Sequence, residues 1–425
     1  MIAFRSSSSL RLTAAALLLS AAVLIPRADA WAAHGKARDA RPTPVAANQA
    51  AASPVAAPAG PPPTAPLAVA GVPEPPLLPE MASYVLIDAE TGAVIAAKVP
   101  NKEWPPASLT KLMTAFLTYQ AVAHGTLKID QVVPISDAAW HTGGSRMFVS
   151  PAMSVTVDQL LHGLIIDSGN DAAVALAQAV AGNQASFVTM MNAEARKLGL
   201  TGTEYMNPDG LPEPGLQTTA MDVATLSRAI VTRYPQFLKV SVEKYYTFDN
   251  IRQRSWNPVL FKDPTVDGLK TGRTDAAGHS IDATALRNGR RLIAVVLGGP
   301  SWTVSSNAIE ALLDYGFQFY TNKVVTTAGK QVGALHEAML EPETVPVGAA
   351  KTMTVTVPLL APTAMKTTLA LDPPARKGIA AGARVGTITV SAGGRTFATV
   401  PAVALAGAKP AGIVTRLLRR MHKAL

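Results

Sequence analysis

The chain has 425 residues, 48% of them hydrophobic, a formal net charge of +9 and no cysteine. The length allows two or three domains, and the missing cysteines exclude disulfides and thiolate chemistry. The basic surplus suits an anionic lipid or wall polymer; the sequence carries no nucleic-acid-binding pattern, and export argues against such a partner.

Residues 1–30 read as a secretory signal peptide. Arg5 and Arg11 precede the apolar run "LTAAALLLSAAVLI", and Ala28-Asp29-Ala30 offers small residues for cleavage. Removing three arginines and one aspartate with it leaves +7 on the mature chain. Residues 31–79, with "AAPAGPPPTAP", have too few large apolar side chains to form a core, and are expected to be a disordered, extended tether.

Ordered sequence is expected from residue 80. "SYVLIDAETGAVIAAKV" reads as a β-hairpin turning at Glu90-Thr91-Gly92. After "PPASLTK", Leu109, Leu112, Met113, Phe116 and Leu117 recur at helical spacing up to Gly125. Further helices are expected over Val157–Ile166 and Asn170–Val180. "HSIDATALRNGRRLIAVVLGG" then returns to strand with a hairpin signal at Asn288-Gly289. Strands at both ends with helices between predict an α/β (α+β) domain over 80–328, a mixed sheet flanked by a helical cluster. Short apolar runs broken by Gly and Pro predict a small all-β domain over 329–408, with a Gly393-Gly394 hairpin.

Residues 409–425 predict an amphipathic membrane-anchor helix. On a helical wheel Ile413, Val414, Leu417, Leu418, Met421 and Leu425 share one side. Arg416, Arg419, Arg420, His422 and Lys423 take the other, with no acidic side chain among them. Anionic membrane lipid is the partner this pattern fits.

The chemistry is carried by three short elements in order. Ser108 and Lys111 stand three residues apart at a helix start, close enough to touch. Serine needs a base to become a nucleophile. No histidine sits in a serine-hydrolase setting, no G-x-S-x-G elbow occurs, and no H-x-x-x-H pair suggests a metal. Lysine is the remaining base, provided burial and a second cation lower its pKa; Lys270 could be that cation. Each element alone is weak. S-x-x-K recurs at Ser241–Lys244 and S-x-N at Ser305–Asn307, and Ser108 alone could be an N-cap. K-T-G occurs once, at Lys270-Thr271-Gly272.

Ser108/Lys111, Ser168/Asn170 and Lys270/Thr271/Gly272 together resemble the penicillin-recognising serine acyl-transferases with the serine β-lactamase/transpeptidase-like fold. "PASLTKLMT", "LLHGLIIDSGNDAAVALA", "YMNPDGLPEPG", "VDGLKTGRTDAAG" and "LLDYGFQFY" are similar more closely to the low-molecular-weight D-alanyl-D-alanine carboxypeptidases. The resemblance implies that Ser108 attacks the penultimate D-alanine carbonyl of a peptidoglycan stem pentapeptide and that Lys111 takes its proton. Ser168 would pass a proton to the leaving amine, and Asn170 would bond the peptide backbone. Lys270 and Thr271 would bind the terminal carboxylate, and the oxyanion would sit between the N–H groups of Ser108 and Arg273. No cofactor or metal is implied, and β-lactams would act as covalent inhibitors. Arg273 stands where many members have histidine, and "PSWTVSSNAIEA" lacks an arginine often found there; Arg273 is expected to supply that charge. A β-lactamase, a DD-endopeptidase and a non-catalytic wall-binding protein remain alternatives. The first is weakened by the lack of an E-x-x-x-N segment between Asn170 and Lys270.

Overall fold

The computed structural model describes residues 72–360, 365–373, 378–392 and 395–422. The expected signal peptide and most of the expected tether lie outside them. The tether's described end, 72–79, lies on the domain that follows: Val72 and Leu78 pack on its core, and Pro73 O accepts from the Tyr315 hydroxyl at 2.8 Å.

The first domain is organised by a five-stranded antiparallel sheet. Its strands are β1 (Ser83–Asp88), β2 (Val94–Lys98), β3 (Val266–Thr274), β4 (Gly278–Arg287) and β5 (Arg290–Gly299), in the order β2-β1-β5-β4-β3. The first strand therefore pairs with the last, Ser83 opposite Leu297 and Asp88 opposite Leu292. Asn288 and Gly289, at φ +51° and +76°, turn β4 into β5; two successive positive φ values match the twist of a tight hairpin.

Both faces of this sheet are buried, which is why β1 and β5 read as continuous apolar runs. Along β1, Val85 and Ile87 face the helical cluster, and Tyr84 and Leu86 face the long helix after β5. The helices are α1 (Lys111–Ala123), α2 (Val157–Ile165), α3 (Asn170–Ala181), α4 (Gln184–Leu198), α5 (Ala220–Arg233) and α6 (Trp302–Phe319). Residues Lys111 to Tyr119 of α1 are all buried, as expected of a helix running through a core and apolar on nearly every side. Thr156 and Gln159 form a reciprocal capping box at the start of α2. Packed Leu and Ile side chains here each contribute about 1.5–3 kcal/mol.

Helix α6 runs directly into the strand Tyr320–Thr326, which pairs with Met353–Pro358. Thus the β-rich part already holds the chain from residue 320. Its main sheet joins Gln331–His336, Thr344–Ala349, Arg395–Ala404, Arg384–Ala392 and Lys366–Leu371, in that order. The strands flanking Gly393-Gly394 pair as an antiparallel hairpin; the two glycines lie outside the described residues. Helix α7 (Ile413–His422) closes the described chain. No described helix is long and apolar enough to cross a membrane.

Candidate active site

Ser108 enters α1 on a 3-10 turn, Ala107–Thr110, after the rigid pair Pro105-Pro106. Ala107 has φ +47°, a left-handed conformation that costs a non-glycine residue energy and persists only where neighbours enforce it. Two glycines let neighbouring backbone close on it. A Cβ on Gly210 (φ +87°) would strike the Ala107 carbonyl. One on Gly272 of β3 would come within 2.8 Å of Pro106 O and 3.2 Å of Ser108 N. The nucleophile's turn is thus clamped between the 207–211 loop and β3. Ser108 caps nothing: the turn's N-cap is Pro106, with no side-chain bond.

Lys111 is fully buried, and its ammonium donates to three oxygens: Ser108 Oγ at 3.0 Å, Asn170 Oδ1 at 2.6 Å and Asp209 O at 2.6 Å. Opposite, Lys270 on β3 donates to Ser168 Oγ and Thr271 O, each at 3.0 Å. Ser168 itself sits at φ +60°. Burial pushes Lys111 down to about 8, with Asp209 and Asp171 pushing back. Burial also lowers Lys270 well below its ordinary value; the charge of Lys111 adds to this and Asp167 opposes it. Of the two expected causes, burial leads at both amines, and the two cations repel each other across the site.

The three sequence elements meet here. Asn170 is buried and both ends of its amide are engaged, the oxygen by Lys111 and the nitrogen by Gly143 O at 2.6 Å. It orients the lysine, so a bond to a bound peptide would compete with Gly143. Thr271 is buried, and Gly272 is the close-packing position described above. Arg273 stands outside the buried cluster, half exposed, with its guanidinium 3.5 Å from Asp275. The recurrences are structural: Ser241 Oγ donates to Asp267 O, and Asn307 Oδ1 accepts from Lys262.

Several groups escaped the sequence reading. Asp171 accepts from the N–H groups of Met147, Phe148 and Val149, tying the 143–149 loop to α3. The Asp209 carbonyl completes the shell of Lys111. The turn chemistry of Pro208-Asp209-Gly210 was its visible signal, and Asn207 Oδ1 accepting from Gly210 N fixes the turn. Asp167, 1% exposed, has no hydrogen-bond partner for either carboxylate oxygen. Burial and the charge of Asp171 push it up to about 7, against the pull of Lys270. A groove of about 290 Å³ opens beside Ala107, lined by Pro105, Gly210, Pro214 and Thr274 among others.

Among the described residues no cluster of three or more potential metal ligands occurs. In the C-terminal helix, Ile413 and Val414 are exposed, whereas Arg419 is held by Leu340 O at 2.7 Å and by Glu343 at 3.2 Å. The Arg416 Nε is buried without a partner. The side chains of Leu417, Leu418, Arg420 and Met421, and all of Lys423, lie outside the described residues.

Comparison with known proteins gives a consistent picture. Residues 73–301 match the family model described as D-alanyl-D-alanine carboxypeptidase, and residues 320–409 match that of the penicillin-binding protein 5 C-terminal domain. The chain is 36% identical over 358 residues to D-alanyl-D-alanine carboxypeptidase DacD of Salmonella typhimurium, covering 82% of this chain and 92% of that one. Penicillin binding protein 5 from Haemophilus influenzae superposes with a TM-score of 0.75 at 31% identity, over 79% of this chain and 99% of that one. Penicillin-Binding Protein D2 from Listeria monocytogenes, solved in an ampicillin-bound form, gives 0.53 at 30% identity, over 57% and 100%.

Proposed function

Because the chain belongs to the D-alanyl-D-alanine carboxypeptidase family, we propose that it removes the terminal D-alanine from peptidoglycan stem pentapeptides through a Ser108 acyl-enzyme. The observation that carries this is the pairing of Ser108 with the buried amine of Lys111 at 3.0 Å, opposite a second buried amine at Ser168.

In this reading neutral Lys111 accepts the Ser108 proton as Oγ attacks the penultimate D-alanine carbonyl carbon. The oxyanion forms between the N–H groups of Ser108 and Arg273, each such donor being worth about 3 kcal/mol. Lys270 and Thr271 receive the terminal carboxylate, whose charge keeps Lys270 protonated. The carbon–nitrogen bond breaks as the leaving amine takes a proton through Ser168. Water then cleaves the ester and frees the shortened peptide. A β-lactam acylates Ser108 the same way, but its leaving amine stays tethered.

The deciding test is D-alanine release from a stem pentapeptide, with Ser108→Ala as control. Release by the wild type and none by the variant supports the reading. β-Lactam hydrolysis without D-alanine release points to a β-lactamase, and cleavage of cross-links alone to an endopeptidase. No labelling by a fluorescent penicillin points to a scaffold.

The same reading puts the enzyme outside the cytoplasmic membrane, with 1–30 as signal peptide, 31–71 as tether, 72–79 packed on the catalytic domain, and 409–425 as a peripheral lipid anchor. The one-sided distribution of cations in the tail sequence supports this; of them, Arg419 is bonded to Glu343 and the Arg416 Nε is buried. Vesicle flotation with and without anionic lipid, comparing the full chain with one ending at 408, tests it.

A further inference from the structure

We infer that the outer flank of the hairpin Tyr245–Phe248/Ile251–Arg254 is a docking surface for polymeric peptidoglycan, binding carboxylates of stem peptides next to the one being cleaved. The inference rests on the carboxypeptidase reading for its substrate class.

The hairpin register sets Tyr245 opposite Arg254 and Thr247 opposite Arg252, on one face. The other face is spent on the protein: Tyr246 stacks on His162 at 5.2 Å, and Phe248 is buried. On the outer face the Arg252 guanidinium lies 4.1 Å over Tyr245. Arg254 lies 3.9 Å over Phe261, and Lys244 is 5.6 Å from the same ring. All three cations are exposed. None has a carboxylate partner among the described ion pairs, and the nearby Glu243 is paired with His162. Nothing in the linear sequence marked this cluster, because two strands and a separate turn assemble it.

A guanidinium held over a ring keeps N–H groups available for a carboxylate, and less side-chain entropy is left to lose. Two residues past Arg254 the chain touches the segment that carries Ser168. The indole N–H of Trp256, half exposed, donates to the carbonyl of Asp167 at 3.3 Å, one residue before Ser168. A membrane surface fits less well. The tip is Asp249-Asn250, polar, exposed and at positive φ, and the cations run along the side rather than around an apolar tip. Uncleaved stem peptides each end in a carboxylate, so a polymer offers this row several anions at once.

The test uses the full chain, isolated peptidoglycan sacculi, phosphatidylglycerol vesicles and a soluble stem pentapeptide. Lys244→Gln/Arg252→Gln/Arg254→Gln should weaken co-sedimentation with sacculi roughly tenfold, as expected for three exposed ionic contacts. Wild-type binding should fall between about 50 and 300 mM NaCl. Turnover of the soluble pentapeptide and labelling by fluorescent penicillin should stay at wild-type rates. Thr247→Glu, which places a carboxylate beside Arg252 without removing a packed ring partner, should also weaken sacculus binding and serves if the triple variant does not fold. Unchanged sacculus binding in the folded variants, or a loss confined to the vesicles, overturns the inference. Failure of the wild type to release D-alanine from the soluble pentapeptide strikes the carboxypeptidase reading instead, and leaves the binding result to stand separately.

Discussion

The amide oxygen of Asn170 lies 2.6 Å from the Lys111 ammonium, nearer than the Ser108 hydroxyl at 3.0 Å. With the Asp209 carbonyl it holds the amine from two sides, so the lysine head cannot rotate away from the serine. Asn170→Ala removes a buried bond to a charged group, worth about 1.5–3 kcal/mol, and should slow penicillin acylation roughly 10- to 100-fold. Asn170→Asp should instead raise the Lys111 pKa and move the acylation profile to higher pH. Wild-type acylation in both variants would show that the position of the amine is set elsewhere.

Lys111 must be neutral to take a proton, and its pKa is lowered to about 8. Acylation should therefore rise with pH and reach half its plateau near 8, up to the point where loss of the Lys270 charge weakens carboxylate binding. The sign is fixed: acid protonates the base and slows the reaction. Stopped-flow acylation by a penicillin between pH 6 and 9 reads it directly. A rate that is flat or falling over that range would remove Lys111 as the base.

Gly272 should tolerate no side chain. Its Cβ would press on Pro106 O at 2.8 Å and on Ser108 N at 3.2 Å, so Gly272→Ala must move either β3 or the nucleophile's turn. A displacement of about 1 Å at a reacting group can cost 100-fold in rate. The sheet pairing of β3 with β4 is otherwise untouched. The variant should fold, with a circular dichroism spectrum like the wild type, yet acylate at least tenfold more slowly.

Much of this site was legible because its key groups sit on elements with strong local signals. Pro105-Pro106 before an apolar helical run located Ser108 and Lys111, and Asn288-Gly289 located the β4–β5 hairpin of the sheet that carries β3. What could not be read was carried by backbone atoms and long-range contact. The Asp209 carbonyl reaches Lys111 across 98 positions of chain. The engagement of Asn170 by Gly143 depends on how a loop without periodicity folds over α3. The pKa of Lys111 follows from burial, a property of the whole helical cluster and not of any motif. At Arg273, the sequence position next to K-T-G says nothing of the side chain's contact with Asp275.

Asp282 on β4 offers a test of the fold beneath the site. It is fully buried; its Oδ2 accepts from Ser227 Oγ at 2.6 Å, and its Oδ1 has no hydrogen-bond partner. Burial pushes its pKa up to about 8, the Ser227 bond opposing, from an ordinary 3.8. The folded protein thus holds a proton that the unfolded chain releases across that interval. Its contribution to stability is fully present below about pH 4 and is lost as pH rises toward 8, by at most about 1.4 kcal/mol per pH unit. Asp282→Asn keeps an acceptor for Ser227 and cannot ionise. Urea unfolding of the two proteins at several values from pH 5 to 8 should show the variant gaining on the wild type as pH rises, whatever the difference at pH 5. A difference that stays constant over that range would mean that Asp282 is already charged in the folded protein.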